Sequence, residues 1–261
     1  MGKFSDAAFD GDIETVAKWI EVSSKQKNKI KVFAEPLSYA AQMGHVEIVQ
    51  LFLNAGADIN YVFKEGTALH YAAQGTGMPA HIMGENSQNT EVAKILIEAG
   101  TDLSLTDHPK SSNYTGWTAL MTAACHGRAA IAKMLIAAGS DINARDKTGM
   151  TPLMIAADFG AVSVAELLIQ AGAFLDIKDD RGLTALGYVA RDIDVGIAEI
   201  EEELRPMQAF QKLAATPAGD AQTMLPSLFS FLGNAENLER SRRGQIARML
   251  RRAGASDAVC R

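Results

Sequence analysis

The chain has 261 residues, of which 48% are hydrophobic, 21% charged and only 7% aromatic. That length and apolar content support one or two globular domains and exclude disorder as the main state. A formal net charge of −6 argues against a generally basic, nucleic-acid-binding surface.

The opening residues, Met1-Gly2-Lys3-Phe4-Ser5-Asp6, lack the long apolar core of a signal peptide. No stretch approaches the ~18 consecutive apolar residues of a membrane span. Cys125 and Cys260 are the only cysteines, too few for a disulfide framework, so a reducing, cytoplasmic setting is expected.

Along the chain, one unit recurs. It opens with a degenerate copy from Phe4 to about Ser23, where Gly11 stands 33 residues before Gly44. The acids Asp6, Asp10, Asp12 and Glu14 predict that this end unit turns a polar face to water. Next come Glu35-Pro36-Leu37-Ser38-Tyr39-Ala40-Ala41 and Thr67-Ala68-Leu69-His70-Tyr71-Ala72-Ala73. Glu35 is a poor helix cap where the other units place Thr. Thr118, Thr151 and Thr184 then follow one another at 33 residues, each two residues after a Gly and two before a Leu. A second marker closes each unit: Ala55-Gly56-Ala57-Asp58, Ala138-Gly139-Ser140-Asp141 and Ala171-Gly172-Ala173. Thr is suited to cap a helix, Pro152 to begin one, and the closing Gly to end one. Ile131, Met134, Leu135 and Ile136 form an apolar stripe on the second helix of their unit.

This pattern resembles the ankyrin repeat family, whose signature is a turn, T-P-L-H-x-A-A, and a second helix ending at Gly-Ala-Asp. The resemblance implies an all-α solenoid of stacked helix-turn-helix repeats with β-hairpin loops. Residues 1–261 are read as one domain of about six repeats, near 4–34, 35–66, 67–117, 118–150, 151–183 and 184–258. Three insertions break the period, at 75–88, 107–112 and 192–240. The last carries Ile197, Ile200, Leu204, Met207, Phe210 and Leu213 at helical spacing, interrupted by Pro206. A helical cap on the stack or a partner-binding arm would both fit it.

Candidate chemistry is sparse. Gly75-x-Gly77-x-x-Ala80 loosely matches a dinucleotide loop but lacks the preceding strand that such a loop requires. The resemblance gives His70 a structural role, bridging backbone groups of adjacent repeats. His126 follows Cys125 without any paired metal-ligand spacing, and no sequence signature supplies a base for a cysteine nucleophile. Glu199, Glu201, Glu202 and Glu203 spread over a solvated helical face. Seven arginines against two acids in Glu239–Arg261 fit the outer face of a final helix. No catalytic residue, cofactor or metal is expected.

In ankyrin repeats the hairpin tips and the exposed ends of the first helices form a concave recognition face. Mapped by register, that face holds Tyr114, Trp117, His126, Thr148, Met150, Asp158, Phe159, Arg181 and Leu183, with Gln42 and Met43 in an earlier repeat. Trp117, Met150 and Leu183 share one slot and are expected to form an exposed apolar stripe. The reading is a non-catalytic module, monomeric alone, that binds a partner protein and no membrane. Two rivals stand beside it: an inhibitor or immunity protein occluding an enzyme, and an enzyme with its active site in 192–240.

Overall fold

A computed structural model describes residues 3–23, 29–64, 66–76, 87–107, 116–190 and 235–255. Among the described residues the helices are α1 (Lys3–Asp10), α2 (Ile13–Ser23), α3 (Lys29–Met43), α4 (Val46–Asn54), α5 (Ala68–Gln74) and α6 (Ser87–Glu98). They continue as α7 (Ala119–Cys125), α8 (Ala129–Ala137), α9 (Pro152–Asp158), α10 (Val162–Gln170), α11 (Ala185–Ala190) and α12 (Ala235–Arg252). Odd-numbered helices pack side by side in one layer and even-numbered helices in a second, each pair leaning on the next. The described residues contain isolated bridges, Phe63 with Gly66 and Thr106 with Thr118, rather than strands. The fold is an all-α repeat solenoid.

Its core is one column of equivalent side chains. Leu37, Leu69, Leu120, Leu153 and Leu186 are all buried in the odd layer. Phe52, Leu96, Leu135, Leu168 and Leu250 are their buried counterparts in the even layer. Between the layers, alanine pairs such as Ala72-Ala73 and Ala123-Ala124 are fully buried, and their small size lets neighbouring helices approach closely. The Thr residues act as helix caps: the hydroxyl of Thr118 accepts from the Met121 amide at 3.4 Å, and that of Thr151 from Met154 at 3.3 Å.

A second column is polar. One slot, just before an even helix or inside it, reaches back to the last carbonyls of the odd helix one repeat earlier. His45 Nε2 donates to the Phe9 carbonyl at 2.9 Å. Asn89 Nδ2 donates to Gln42 and Ala41 at 2.8 and 2.9 Å. Arg128 Nη2 donates to Gln74 at 3.3 Å, and Arg243 donates to Asp158. Counting back from the closing glycines Gly56, Gly100, Gly139 and Gly254, these four residues are equivalent. Ala161 occupies the slot in the remaining pair and has no side-chain donor to offer Cys125.

Three expectations change. Glu35 does not start a helix: α3 begins at Lys29 and carries Pro36 inside it. The added turn buries Phe33, whose ring lies 5.4 Å from Trp19 and 5.6 Å from Phe52, and that apolar contact outweighs the proline's missing donor. The first pair is not uniformly polar, because Phe4, Ile13 and Val22 are exposed among its acids. The final helix starts at Ala235, inside the segment read as the 192–240 insertion. Residues 191–234, and with them the expected cap or arm, lie outside the described residues, as do 77–86 and 108–115.

His70 bolts the third pair to the fourth. Its Nδ1 accepts the Thr67 amide at 3.2 Å while Nε2 donates to the Trp117 carbonyl at 3.0 Å. Only the neutral Nε2–H tautomer can do both. In the next two repeats Met121 and Met154 take this slot, and their sulfurs accept the Thr118 and Thr151 amides at 3.4 Å. A thioether cannot donate, so neither bridges onward.

Burial pushes the His70 imidazole down to about 4, against which the Trp117 carbonyl bond works only partly. The folded state therefore refuses a proton that the unfolded chain accepts near pH 6.5. The stability that depends on neutral His70 is complete above about pH 6.5 and drains away as the pH falls toward 4, by about 3 kcal/mol in all. Urea unfolding between pH 7.5 and 5 should show this slope in the wild type and lose most of it in His70→Gln; parallel slopes would contradict the assignment. Arg128→Ala, which removes one reach-back bond to a charged donor, should lower stability by about 2 kcal/mol, read as a shift of the urea midpoint at unchanged slope.

Candidate protein-interaction surface

The hairpins that lead into α7, α9 and α11 are each organised by a buried carboxylate. Asp107 Oδ1 accepts the amides of Gly116 and Trp117, both at 2.9 Å. Asp146 Oδ1 accepts from the Thr148 amide and hydroxyl at 2.8 Å and from the Met150 amide at 2.9 Å. Asp179 Oδ1 accepts from Arg181 and Leu183 at 3.0 and 2.7 Å, while its Oδ2 takes the Tyr188 hydroxyl at 2.7 Å. The same backbone bond closes every one of these turns: Asp107 to Trp117, Asp146 to Met150 and Asp179 to Leu183, at 2.8 to 3.0 Å. Neighbouring hairpins also touch, since the Asp180 amide donates to the Thr148 carbonyl at 3.0 Å. Gly149, with φ of 80°, lies under the Arg145–Asp180 contact, where an added Cβ would meet Arg145 at 2.5 Å.

The electrostatics follow this geometry. Burial raises the Asp179 carboxyl, but the bonds from Tyr188, Leu183 and Arg181 outweigh it and hold the group below the usual carboxylate range. Burial of Asp107 wins instead, and its carboxyl is raised despite the Trp117 and Gly116 amides. Cys125 is half-buried, and burial followed by the nearby Asp158 charge pushes its thiol up to about 12. It is therefore a thiol at neutral pH, without the thiolate that nucleophilic attack requires. Burial likewise lowers His126, whose Nδ1 donates to the Thr122 carbonyl at 3.0 Å. Among the described residues no group of three or more His, Cys, Asp or Glu could hold a metal ion. No described helix is long and apolar enough to cross a membrane.

The expected apolar stripe is not an open surface. Met150 is only 9% exposed and belongs to the core. Trp117 and Leu183 are half-buried against that core. The Trp117 indole donates to Asp146 Oδ2 of the following hairpin at 3.0 Å, so this carboxylate draws the ring onto its neighbour and leaves an edge outside. The slot is shared as expected, but adjacent hairpins stand close enough to cover one another's apolar residues.

What stays accessible lies at the helix ends and hairpin tips. Phe159 follows α9 and is 44% exposed, beside half-buried Asp158. Thr148 and Arg181 are exposed on their turns, and the Arg181 guanidinium lies 5.5 Å from the Tyr188 ring centre. Gln42 and Met43 are half-buried at the end of α3, with Gln42 Nε2 donating to Gln74 Oε1 at 3.4 Å. Tyr114 lies outside the described residues. The structure adds Arg243, whose bond to the Asp158 carbonyl seats α12 beside Phe159. Its kinship with His45 and Arg128 is present in the sequence but hidden by the long insertion. The buried carboxylates could also have been found, since Asp146 and Asp179 are one period apart.

A family model described as "Ankyrin repeats (3 copies)" matches residues 4–107, 80–179 and 131–199. The chain is also similar to "Ankyrin repeat protein nuc-2" of Neurospora crassa, at 29% identity over 135 residues. That match covers 52% of this chain and 11% of the relative, so the chain spans about a tenth of that protein's length. The matched models run through most of the helix pairs described above, and the chain belongs to the ankyrin repeat family.

Proposed function

We propose that this chain is a non-catalytic binding module, one continuous stack of about six repeats that holds a partner protein on its hairpin and first-helix face. Ankyrin repeats generally mediate protein–protein interaction, and burial keeps the Cys125 sulfur in its thiol form at neutral pH. The carrying observation is Phe159, a large apolar side chain exposed at the end of α9 on the hairpin and first-helix face. The slots at the ends of the odd helices hold Gln42-Met43, Gln74-Gly75, Cys125-His126 and Asp158-Phe159, while the leucine and carboxylate slots beneath them repeat. A frame that repeats and a surface that varies is what recognition on a preformed scaffold requires, because little ordering cost remains at binding. Asp158, Phe159, His126, Thr148 and Arg181 supply the contacts, with the exposed edges of Trp117 and Leu183 beside them. Met150 supports the face from below.

The test begins with affinity capture and mass spectrometry to obtain a partner, followed by calorimetric titration of variants. Phe159→Asp should weaken binding by about 30-fold or more, as for an aromatic anchor, with little change in urea midpoint. Phe174→Asp, on the exposed turn after α10, serves as a control and should bind normally. Trp117→Ala should instead lose about 2–4 kcal/mol of stability, through lost packing and an unpaired Asp146. Normal binding by Phe159→Asp together with loss in Phe174→Asp would move the interface to the other edge.

A further inference from the structure

The hairpin before α5 departs from the carboxylate pattern. The backbone bond that closes the turns before α7, α9 and α11 starts from the amides of Asp107, Asp146 and Asp179. Here it starts from Phe63, whose amide donates to the Gly66 carbonyl at 2.9 Å. An aromatic ring thus stands where the later hairpins keep a buried anion. That ring meets Tyr39 edge to face, with centres 6.1 Å apart, and Tyr39 meets Tyr71 and Phe9 at 6.4 and 6.2 Å. The Tyr71 hydroxyl donates to the Phe63 carbonyl at 3.3 Å, which ties the hairpin to α5. Tyr39 and Tyr71 are buried and Phe63 is half-buried, so packing fixes the group before anything binds it.

One ammonium already lies against these rings. Lys64 Nζ is 5.0 Å from the Phe63 ring centre and 5.9 Å from that of Tyr39, inside the ~6 Å over which an aromatic face attracts a cation. It donates to the Tyr39 hydroxyl at 3.3 Å and stands 4.0 Å from Glu35 Oε1. The hold is loose. Its side chain is 60% exposed, and its backbone sits at φ of 40°, a left-handed region that residues with a Cβ adopt only rarely. Arg181 shows the contrast at the last hairpin: it lies over the Tyr188 ring and also donates to Asp179 Oδ2 at 3.3 Å. We propose that Tyr39, Phe63 and Glu35 form a receptor for a lysine side chain of the partner protein, with Lys64 as an internal stand-in that the partner displaces. This assignment builds on the hairpin-face interaction proposed above and specifies the partner's chemistry at the second and third repeats. The Tyr39 hydroxyl and the Glu35 carboxylate accept N–H bonds, so the site suits an ammonium that keeps its donors over a quaternary one. Lys31 stands one turn before Glu35 on α3, so selectivity comes from the rings rather than from a strongly acidic rim.

The test uses the full chain with isotope-labelled tyrosine and a capped Gly-Gly-Lys-Gly-Gly peptide. In an NMR titration the Tyr39 ring signals should shift and saturate, with binding about fivefold tighter in Lys64→Gly than in the wild type. That variant removes the stand-in and suits the positive φ. The acetyl-lysine peptide, which has no charge, should produce no shift, and the trimethyl-lysine peptide should bind more weakly than lysine. Phe63→Leu leaves every charge in place and should lose the response, while Glu35→Gln should weaken it about threefold. Thermal unfolding checks that each variant is folded, and Glu35→Gln reads the site even if Phe63→Leu unfolds. Because the peptide needs no partner, its result is independent of the Phe159→Asp measurement. Three results would each overturn the proposal and leave Lys64 as a clamp on its own hairpin. They are folded Lys64→Gly without Tyr39 shifts, acetyl- or trimethyl-lysine binding as tightly as lysine, and an unaltered response in both Phe63→Leu and Glu35→Gln.

Discussion

At the ends of four odd helices, the carbonyls of Phe9, Gln42, Gln74 and Asp158 each accept a hydrogen bond from a side chain of the following repeat. Those bonds organise the stack. His45, Asn89, Arg128 and Arg243 differ in shape and charge, yet each brings a donor N–H to the same backbone position one repeat earlier. A buried acceptor left unpaired costs about 1–3 kcal/mol, so each bond fixes the rotation of one pair on the last as well as adding stability. Energetics in such a fold are close to a sum over neighbours. The junction at Ala161, with no donor, rests on apolar packing of Val164, Ala165 and Leu168 instead.

The buried carboxylates do for the hairpins what this ladder does for the helices. Asp107, Asp146 and Asp179 each gather the amides of one turn, and Asp146 and Asp179 add a ring partner, Trp117 and Tyr188. Holding an ionised group inside is costly unless its lone pairs are filled. Where donors include a hydroxyl and a guanidinium, as at Asp179, the charge is favoured; where they are two amides, as at Asp107, burial prevails. Either way the turns are committed before any partner arrives. The variable residues at their tips ride on a surface that does not have to be ordered at binding.

His70 shows how a single slot can change the coupling between neighbours. Imidazole has one acceptor and one donor on opposite sides and therefore joins Thr67 to Trp117 across the insertion that separates them. Methionine in the same slot keeps the acceptor and loses the bridge. The third junction, next to two departures from the regular period, is the one that carries both this bridge and the Arg128 bond.

Much of this was legible in the residues. Local chemistry at fixed spacing sets the period, the Thr caps, the alanine pairs and the closing glycines, because each depends on only a few adjacent positions. The role of His70 was legible too, through the family signature. Exposure was not. Whether Trp117 or Met150 faces water depends on how near the next hairpin stands, and Asp146, 29 residues along, draws the indole down. Glu35 looked like a helix start until Phe33 found the Trp19 and Phe52 rings. Arg243 looked like a solvated charge until α12 was placed against α9. The sequence by itself determined the repeat and its register, since those follow from short-range backbone chemistry. Tertiary structure alone decided which residues remain for a partner, since burial belongs to the neighbouring repeat and not to the residue.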